Sequence, residues 1–300
     1  MAISRAQLVK ELEPGLNALF GLEYKSYANE HAEIFDTESS DRAFEEEVML
    51  SGFANASVKP EGQGVQFDDA QETFTARYTN ETIALAFAIT EEAIEDNLYD
   101  RLASRYTKAL ARSMANTKQV KAAAVLNNGF NANFAGGDGV ALFATDHPTI
   151  AGTFSNELAV ASDLNETSLE QALIDIAAMT DERGLKIAAR GMKMIIPPQL
   201  QFTADRLMKS EGRTGTADND INAVRNMGMI PEGYTVNHFL TSNKKWFIKT
   251  DVPNGLKHFV RSPIKTSMEG DFDTGNVRYK ARERYVFGFS DPRGIFGSDI

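Results

Sequence analysis

Three hundred residues, 42% of them hydrophobic, suffice for one large or two medium domains with real cores. The absence of cysteine excludes disulfides and thiolate chemistry, and it fits a protein that folds in a reducing compartment. A formal net charge of −11 argues against nucleic acid as a tightly held ligand, since such a binder presents a basic excess to the phosphates, while loose proximity to DNA stays compatible with it.

The N-terminus, MAISRAQLVKELEPG, has no apolar stretch of signal-peptide length, and the longest apolar run, Ile83 to Ile89, is too short to span a bilayer. The chain reads as soluble, with no membrane partner. Ser4 with Gln7 forms a capping-box pattern that opens a short amphipathic helix; Pro14 is expected to interrupt it, and Leu16 to Tyr24 carries a second apolar face. From His31 to Phe53 the acids Glu33, Asp36, Glu38, Asp41, Glu45, Glu46 and Glu47 surround isolated Ile34, Phe35, Phe44, Val48 and Leu50. That pattern suits an arm lying along another surface rather than closing a core, although a solvated loop has the same composition.

Between Ala56 and Glu72 only Val65 and Phe67 are large apolar residues among Pro60, Gly62 and Gly64, so this segment can bury little in its own domain. Alternation then places Phe74, Ala76 and Tyr78 on one face and shifts phase to Ile83, Leu85, Phe87 and Ile89. A bulge or a change of environment is expected between Tyr78 and Ile83.

Thr90 caps the next element, a helix that begins acidic with Glu91, Glu92, Glu95, Asp96 and Asp100 and continues basic, an order that complements the helix dipole. Its expected stripe is Ile94, Leu98, Leu102, Tyr106, Leu110, Met114 and Val125. No Gly or Pro interrupts before Gly129, so at about 1.5 Å per residue the rod approaches roughly 55 Å.

Asn131 to Asn156 reads as a loop around a short strand, Ala141 to Ala144. A second domain begins near Asp163: Thr167 or Ser168 caps a helix with Leu169, Leu173, Ile176 and Ala177 inward, and Gly184 is its C-terminal glycine. Lys193 to Ile196 reads as a buried strand, and Pro198 opens a helix through Met208. After the polar loop Ser210 to Asp220 come a short helix and two strands, Thr235 to Leu240 and Lys245 to Lys249, joined by Ser242, Asn243 and Lys244. Helices and strands mix without βαβ regularity, which favours an α+β domain. The last long strand, Val277 to Phe289, has two unlike faces: Val277, Tyr279, Ala281, Tyr285, Phe287 and Phe289 on one, Arg278, Lys280, Arg282 and Arg284 on the other.

Catalytic signals fail on spacing. Asp146 and His147 with nearby Ser155 have the residue types of a hydrolytic triad, but neighbours in a strand face opposite ways and no Gly-x-Ser-x-Gly elbow exists. Gly136-Gly137-Asp138-Gly139 is not followed by Lys-Ser or Lys-Thr and reads as a turn. Glu211, Asp218 and Asp220 lack the order of a calcium loop. The histidines His31, His147, His238 and His258 are not at metal-ligand spacing, so no metal or cofactor is expected. The basic row is different, because like charges at alternate positions repel unless acids or a polyanion lie opposite. Either the row is a solvated edge, or it meets acidic segments of another subunit or packaged nucleic acid.

The blocks SGFANASVKPEGQGVQFDDA, ALAFAITEEAIEDNLYDRL, LFATDHPTIAGTFSN, LEQALIDIAAMTDERG, FLTSNKKWFIKTDVPNGLKHFVR and RYKARERYVFGFSDPRGIFGS, in that order, resemble the major capsid proteins of tailed bacteriophages (Caudoviricetes), which have the Hong Kong 97-type fold. The resemblance implies residues 1–53 as an N-terminal arm, 54–89 as an extended loop, and 90–162 as a peripheral domain with a spine helix. Residues 163–255 would form an axial domain, and 256–300 the strands returning to the peripheral domain. It implies a structural, non-enzymatic protein whose copies form hexameric and pentameric capsomers of an icosahedral shell around double-stranded DNA, held by confinement and not by specific binding. It further implies a virion location with assembly in the bacterial host cytoplasm, a portal protein, and separate scaffold or decoration proteins if any. The chain starts almost at the arm, so no long N-terminal scaffolding segment is expected. Glu45, Glu46, Glu47, Lys59, Gln66, Phe67, Arg278, Lys280, Arg282 and Arg284 are the expected intersubunit contacts. Relatives that cross-link join a loop lysine to an asparagine; Lys59 and Asn276 are the nearest candidates here, in contexts that do not match, and no cross-link is expected. An encapsulin-like compartment shell shares the implied fold and is the alternative; a soluble hydrolase using His147 is the remote one.

Overall fold

A computed structural model describes residues 5–90, 99–213, 220–271 and 275–300. Two four-stranded sheets organise the chain. In the first, the long strands β10 (Leu256–Gly270) and β11 (Val277–Phe289) pair antiparallel, β4 (Glu81–Ile89) adds antiparallel to β11, and β1 (Asp36–Ser39) adds parallel to β10. The alternation of β11 is realised: Val277, Tyr279, Ala281 and Tyr285 are buried, with Arg278, Lys280 and Arg282 exposed. Glu283 falls on the buried side.

Two helices cover that buried face. α1 (Arg5–Ser26) contributes Leu16 and Phe20, and α2 (Tyr99–Asn127) contributes Ala103, Leu110, Ala111 and Met114 around Ile89, Tyr279 and Ala281. Pro14 does not interrupt α1, which runs through it. An interior proline costs about 3 kcal/mol, and burial of Leu16 and Phe20 on the following turns offsets it. The expected cap at Ser4, and Ile94 and Leu98 of the expected stripe, lie outside the described residues. Leu110 and Met114 are buried as expected, but Tyr106 is half exposed, and alanines at 103, 111, 115, 122 and 123 complete the inward side instead. Alanine there lets the helix backbone lie close to the sheet.

The second sheet has the order β12-β9-β7-β8. β7 (Gly191–Ile196) is flanked by β8 (Tyr234–Val236) in parallel and β9 (Trp246–Thr250) in antiparallel pairing, and β12 (Ile295–Ser298) closes the β9 edge. The two strands expected to be joined at Ser242 therefore stand on opposite sides of β7. The C-terminal strand belongs to this sheet, so residues 256–300 do not all return to the first one. Against this sheet pack α3 (Glu166–Ala178), α4 (Gln201–Lys209) and α5 (Ala223–Asn226), with Leu169, Leu173, Ile176, Met194, Trp246, Ile248 and Phe296 buried. Asn165, not Thr167 or Ser168, caps α3; Ser168 reciprocates from the third position, and Ala172 rather than Ala177 faces inward. Gly184, at φ +82°, serves a turn beyond the helix. Residues 141–144 form no strand, and the local ladder is β5 (His147–Thr149) with β6 (Gly152–Phe154). Among the described residues no helix is long and apolar enough to cross a membrane.

The change of environment expected between Tyr78 and Ile83 is a change of sheet. β2 (Phe44–Leu50) and β3 (Glu72–Thr79) form a separate antiparallel hairpin, and after Asn80 the chain continues as β4 in the first sheet. Ile34 and Phe35, expected to lie on another surface, are fully buried with Leu126, Leu142, Phe247 and Leu256 where the two sheets meet.

Candidate assembly surfaces

The β2–β3 hairpin is narrow and bare beyond its root. Ser51 and Gln71 close its last rungs, the Asp68 carboxylate accepts from the Ala54 N–H at 2.7 Å, and the Gln66 side chain accepts from Ser57 Oγ at 2.8 Å. Gln63 N–H reaches the Pro60 carbonyl at 3.3 Å, with Gly62 at φ +80° supplying the conformation that this turn requires. Every residue from 52 to 71 is exposed, Phe67 to 98% and Val58 to 93%. Arg183 makes one tether, donating to the Asp69 carbonyl at 2.7 Å.

The root of the hairpin is fixed by a buried polar junction. The Asn80 amide donates to Ser40 Oγ at 2.7 Å and to the Arg42 carbonyl at 3.0 Å. Lys257, buried on β10, pairs with Glu38 of β1 and lies 3.6 Å from Glu47 of β2, while Tyr78 and Glu47 both hydrogen bond to Ser290. Gly288 admits the Tyr78 ring, since a Cβ there would stand 2.6 Å from the ring edge. Sequence reasoning missed this junction. Its one signal was Lys257 inside the apolar run Leu256 to Val260, a buried cation that demands acids opposite it.

The acids Glu45, Glu46 and Glu47 are engaged inside the chain. Glu45 accepts from Ser40 Oγ at 2.7 Å and from the N–H groups of Asp41 and Arg42, and these bonds, the Ser40 hydroxyl first, hold its carboxyl below the usual range. Glu46 lies 3.7 Å from Arg77 on the exposed side of β2, and Glu47 belongs to the Lys257 junction. Within one chain these acids do not meet the basic row, whose expected partners were the acids of a neighbouring copy.

Opposite the face that α1 and α2 cover, the first sheet is open. Arg278 pairs with Asp271 at 2.5 Å, but Lys280, Arg282 and Arg284 have no ion pair among the described residues, and Arg284 Nε is buried without a hydrogen-bond partner. The register adds Lys265 directly across from Arg282, and on the other flank Ala88, Ala86 and Ala84 lie opposite Arg278, Lys280 and Arg282. The result is a cationic stripe beside an alanine shelf. On the covered side, Glu283 meets Lys118 Nζ at 3.1 Å and the Tyr24 hydroxyl at 3.2 Å; burial raises its carboxyl above the usual value while Lys118 opposes that rise. Lys59 is exposed on the loop, and no hydrogen bond joins it to Asn276, which lies next to the start of β11.

The places that suggested chemistry are structural. His147 is fully buried, with Nδ1 2.6 Å from Asp138 Oδ2, Nε2 3.1 Å from Asn156 Oδ1, and its ring stacked on Phe154. The Ser155 hydroxyl donates to the Glu157 carbonyl instead. Asp138, in the glycine-rich turn, is thus the acid that meets this histidine, and Asp146 is not. The Gly139 N–H closes that turn on the Gly136 carbonyl at 3.2 Å. Glu211 pairs with Arg225, and Asp218 lies outside the described residues. Among the described residues no cluster of potential ligands could hold a metal ion.

The exposed hairpin and the open charged sheet face are surfaces for contact with other molecules, and His147 is held by partners inside the chain. The model of a phage capsid protein family matches residues 72–297, and the chain belongs to that family. Solved structures share the fold. The capsid of an empty GTA particle aligns at TM-score 0.57 and 14% identity, covering 90% of this chain and 89% of its own. A virus-like particle from Pyrococcus furiosus aligns at 0.54 and 12%, covering 95% and 98%, and the procapsid of bacteriophage JBD30 at 0.53 and 18%, covering 99% and 76%. No curated protein matches the sequence. The chain is a structural major capsid protein of the virion, with a mixed α+β fold.

Proposed function

We propose that many copies of this chain close into an icosahedral shell of hexameric and pentameric capsomers around double-stranded phage DNA, in the manner of the Hong Kong 97-type fold. On this reading residues 1–53 are the arm, the hairpin carries the extended loop, α2 is the spine, the second sheet is the axial domain and the first is the peripheral one. Assembly takes place in the host cytoplasm, with a portal protein at one vertex and separate scaffold or decoration proteins where present. DNA is confined rather than bound, which suits a chain of net charge −11. The observation that carries the reading is the hairpin tip, which buries none of its side chains in its own chain and leaves Val58, Val65 and Phe67 bare to solvent. Lys59, Gln66 and Phe67 are then contacts to a neighbouring copy. The nanocompartment shell, the alternative reading, gains nothing over this one, because the matching family is one of phage capsids.

The cationic stripe is the second contact in this proposal, facing acids of another copy. Exposed pairs contribute only about 0–1 kcal/mol each, so a single substitution does little, whereas Arg282→Glu with Arg284→Glu turns several attractions into repulsions at every repeat of the interface. Electron microscopy of the purified protein tests both parts. Closed shells are expected from the natural chain; the double reversal assembles poorly at low salt and partly recovers as screening rises. A stable monomer from the natural chain would overturn the shell, and salt-independent assembly of the double reversal would reduce the stripe to a solvated edge.

A further inference from the structure

The segment between α1 and β1 docks against the body of the protein through two buried histidines. His31 sits in a single 3₁₀ turn, residues Glu30–Glu33, and its Nδ1 lies 2.9 Å from Gln119 Nε2 of α2. The orientation of that amide is fixed by backbone: Gln119 Oε1 accepts the His31 N–H at 3.1 Å, and Nε2 also donates to the Ala28 carbonyl at 3.3 Å. His31 Nδ1 must therefore accept, which only the neutral ring can do. His258 of β10 stacks on Phe287 at 4.2 Å and meets the His31 ring edge-on at 5.2 Å; its Nδ1 is 3.1 Å from Thr37 Oγ1 of β1, and its Nε2 is buried with no partner. A second proton on His31 Nδ1 would face an amide N–H that cannot turn, a second proton on His258 would leave one buried N–H with no acceptor, and no carboxylate is in hydrogen-bond contact with either ring.

We propose that His31 and His258 form an acid-sensitive latch holding residues 28–39 against α2 and β10, which mild acid releases while both sheets stay folded. Burial disfavours the charged form of each ring and Lys118 of α2 adds repulsion, so both titrate below the ordinary histidine value when docked, His258 at about 3. The undocked segment binds more protons than the docked one. Docking is therefore at full strength above about pH 6.5 and weakens as pH falls from there towards the docked values.

Neighbouring charges leave the sign unchanged. From β11 come Tyr285, edge-on to His258, and Glu283, which is held by Lys118. From β1 come Asp36 and Glu38, paired with Lys249 and Lys257, and from the 3₁₀ turn Glu33, paired with Lys193. His238 Nδ1, 2.7 Å from Glu30 of the same turn, is exposed and stands apart from the two buried rings.

Hydrogen exchange on the full chain, corrected for the intrinsic pH dependence of exchange, tests the latch at the amides of Ile34, Phe35 and Ser40, which are bonded to the carbonyls of His31, His31 and Val260. Between about pH 7 and pH 5, protection there should fall about 25-fold for one histidine kept neutral by docking, and further if both contribute, with β7 and β9 unchanged. His31→Gln with His258→Phe should remove the pH response, and His238→Gln should retain it. A response that persists in the double variant overturns the proposal. Should that variant already lose the segment at neutral pH, the natural chain decides: release that begins only in the carboxylate range, about pH 4, would overturn it.

Discussion

The second sheet and the β2–β3 hairpin are built from the same backbone pairing and serve opposite ends. Around β7 and β9 the strands are sandwiched by apolar contacts, with Trp246, Phe247 and Ile248 in succession all fully buried because both faces of β9 are covered. On the hairpin, partial burial alternates along β2 as far as Met49, Ser51 is buried at its last rung, and residues 52 to 71 are all exposed. The first region stabilises the monomer; the hairpin does so only at its root, where Ala76 and Tyr78 are buried against Phe259, and its far end leaves Val58, Val65 and Phe67 exposed. On the proposed function, stability and assembly fall to separate stretches of one chain, and substitutions should sort accordingly.

The sharpest break is expected at Arg293, which is buried beside Glu182 at 2.5 Å, donates to the Thr180 carbonyl and covers the Phe154 ring at 4.4 Å. Arg293→Met leaves a buried carboxylate unpaired, and denaturant unfolding should show a loss of about 3–5 kcal/mol. Adding Glu182→Leu should restore much of that loss; if it does not, the packing of the guanidinium matters more than its charge. A smaller effect belongs to Asn165, whose side chain accepts the Ser168 N–H at 2.9 Å. Asn165→Ala should cost about 1 kcal/mol in the same measurement, and no change would mean that tertiary packing alone fixes the start of α3. The smallest effect on stability is expected from the largest change: replacing Val58 to Gln71 with a short turn should leave circular dichroism and the unfolding midpoint unaltered, yet abolish shell closure in the microscope. Loss of fold along with assembly would place the loop in the monomer's own core and erase the contrast between the two regions.

Much of this division was legible in the residues. The bare loop, the helix α2 uninterrupted from Tyr99 to Asn127 and the two-faced strand β11 follow from spacing alone, because exposure and periodicity leave a mark along each of them, while the expected start of that helix at Thr90 falls beside residues outside the described ones. Three other features left no such mark. Glu283 lies on the apolar side of β11, and only the facing Lys118, far away in sequence, makes that placement tolerable. Ile34 and Phe35 stand amid acids and looked like contacts for another surface, but their neighbours in space are Leu126, Phe247 and Leu256. β8 and β9 look like a hairpin in sequence, and only the strand inserted between them shows otherwise. Of the expected contact residues, Lys59, Gln66, Phe67, Arg278, Lys280 and Arg282 are exposed, Arg284 is half-buried, and Glu45 and Glu47 already have partners within the chain.

Asn80 is the single residue between the last rung of β3 and the first of β4. Mechanically it acts as the fulcrum of a long lever. From Asn80 to the turn at Gly62 the chain runs 18 residues, which at about 3.3 Å each is an arm of up to roughly 60 Å. Tilting the departing strand by about ten degrees would carry the tip through as much as roughly 10 Å, the spacing between two packed sheets. The two hydrogen bonds of the Asn80 amide and the Lys257 junction beside it therefore set, from a handful of buried polar contacts, the direction in which the far end of the hairpin points.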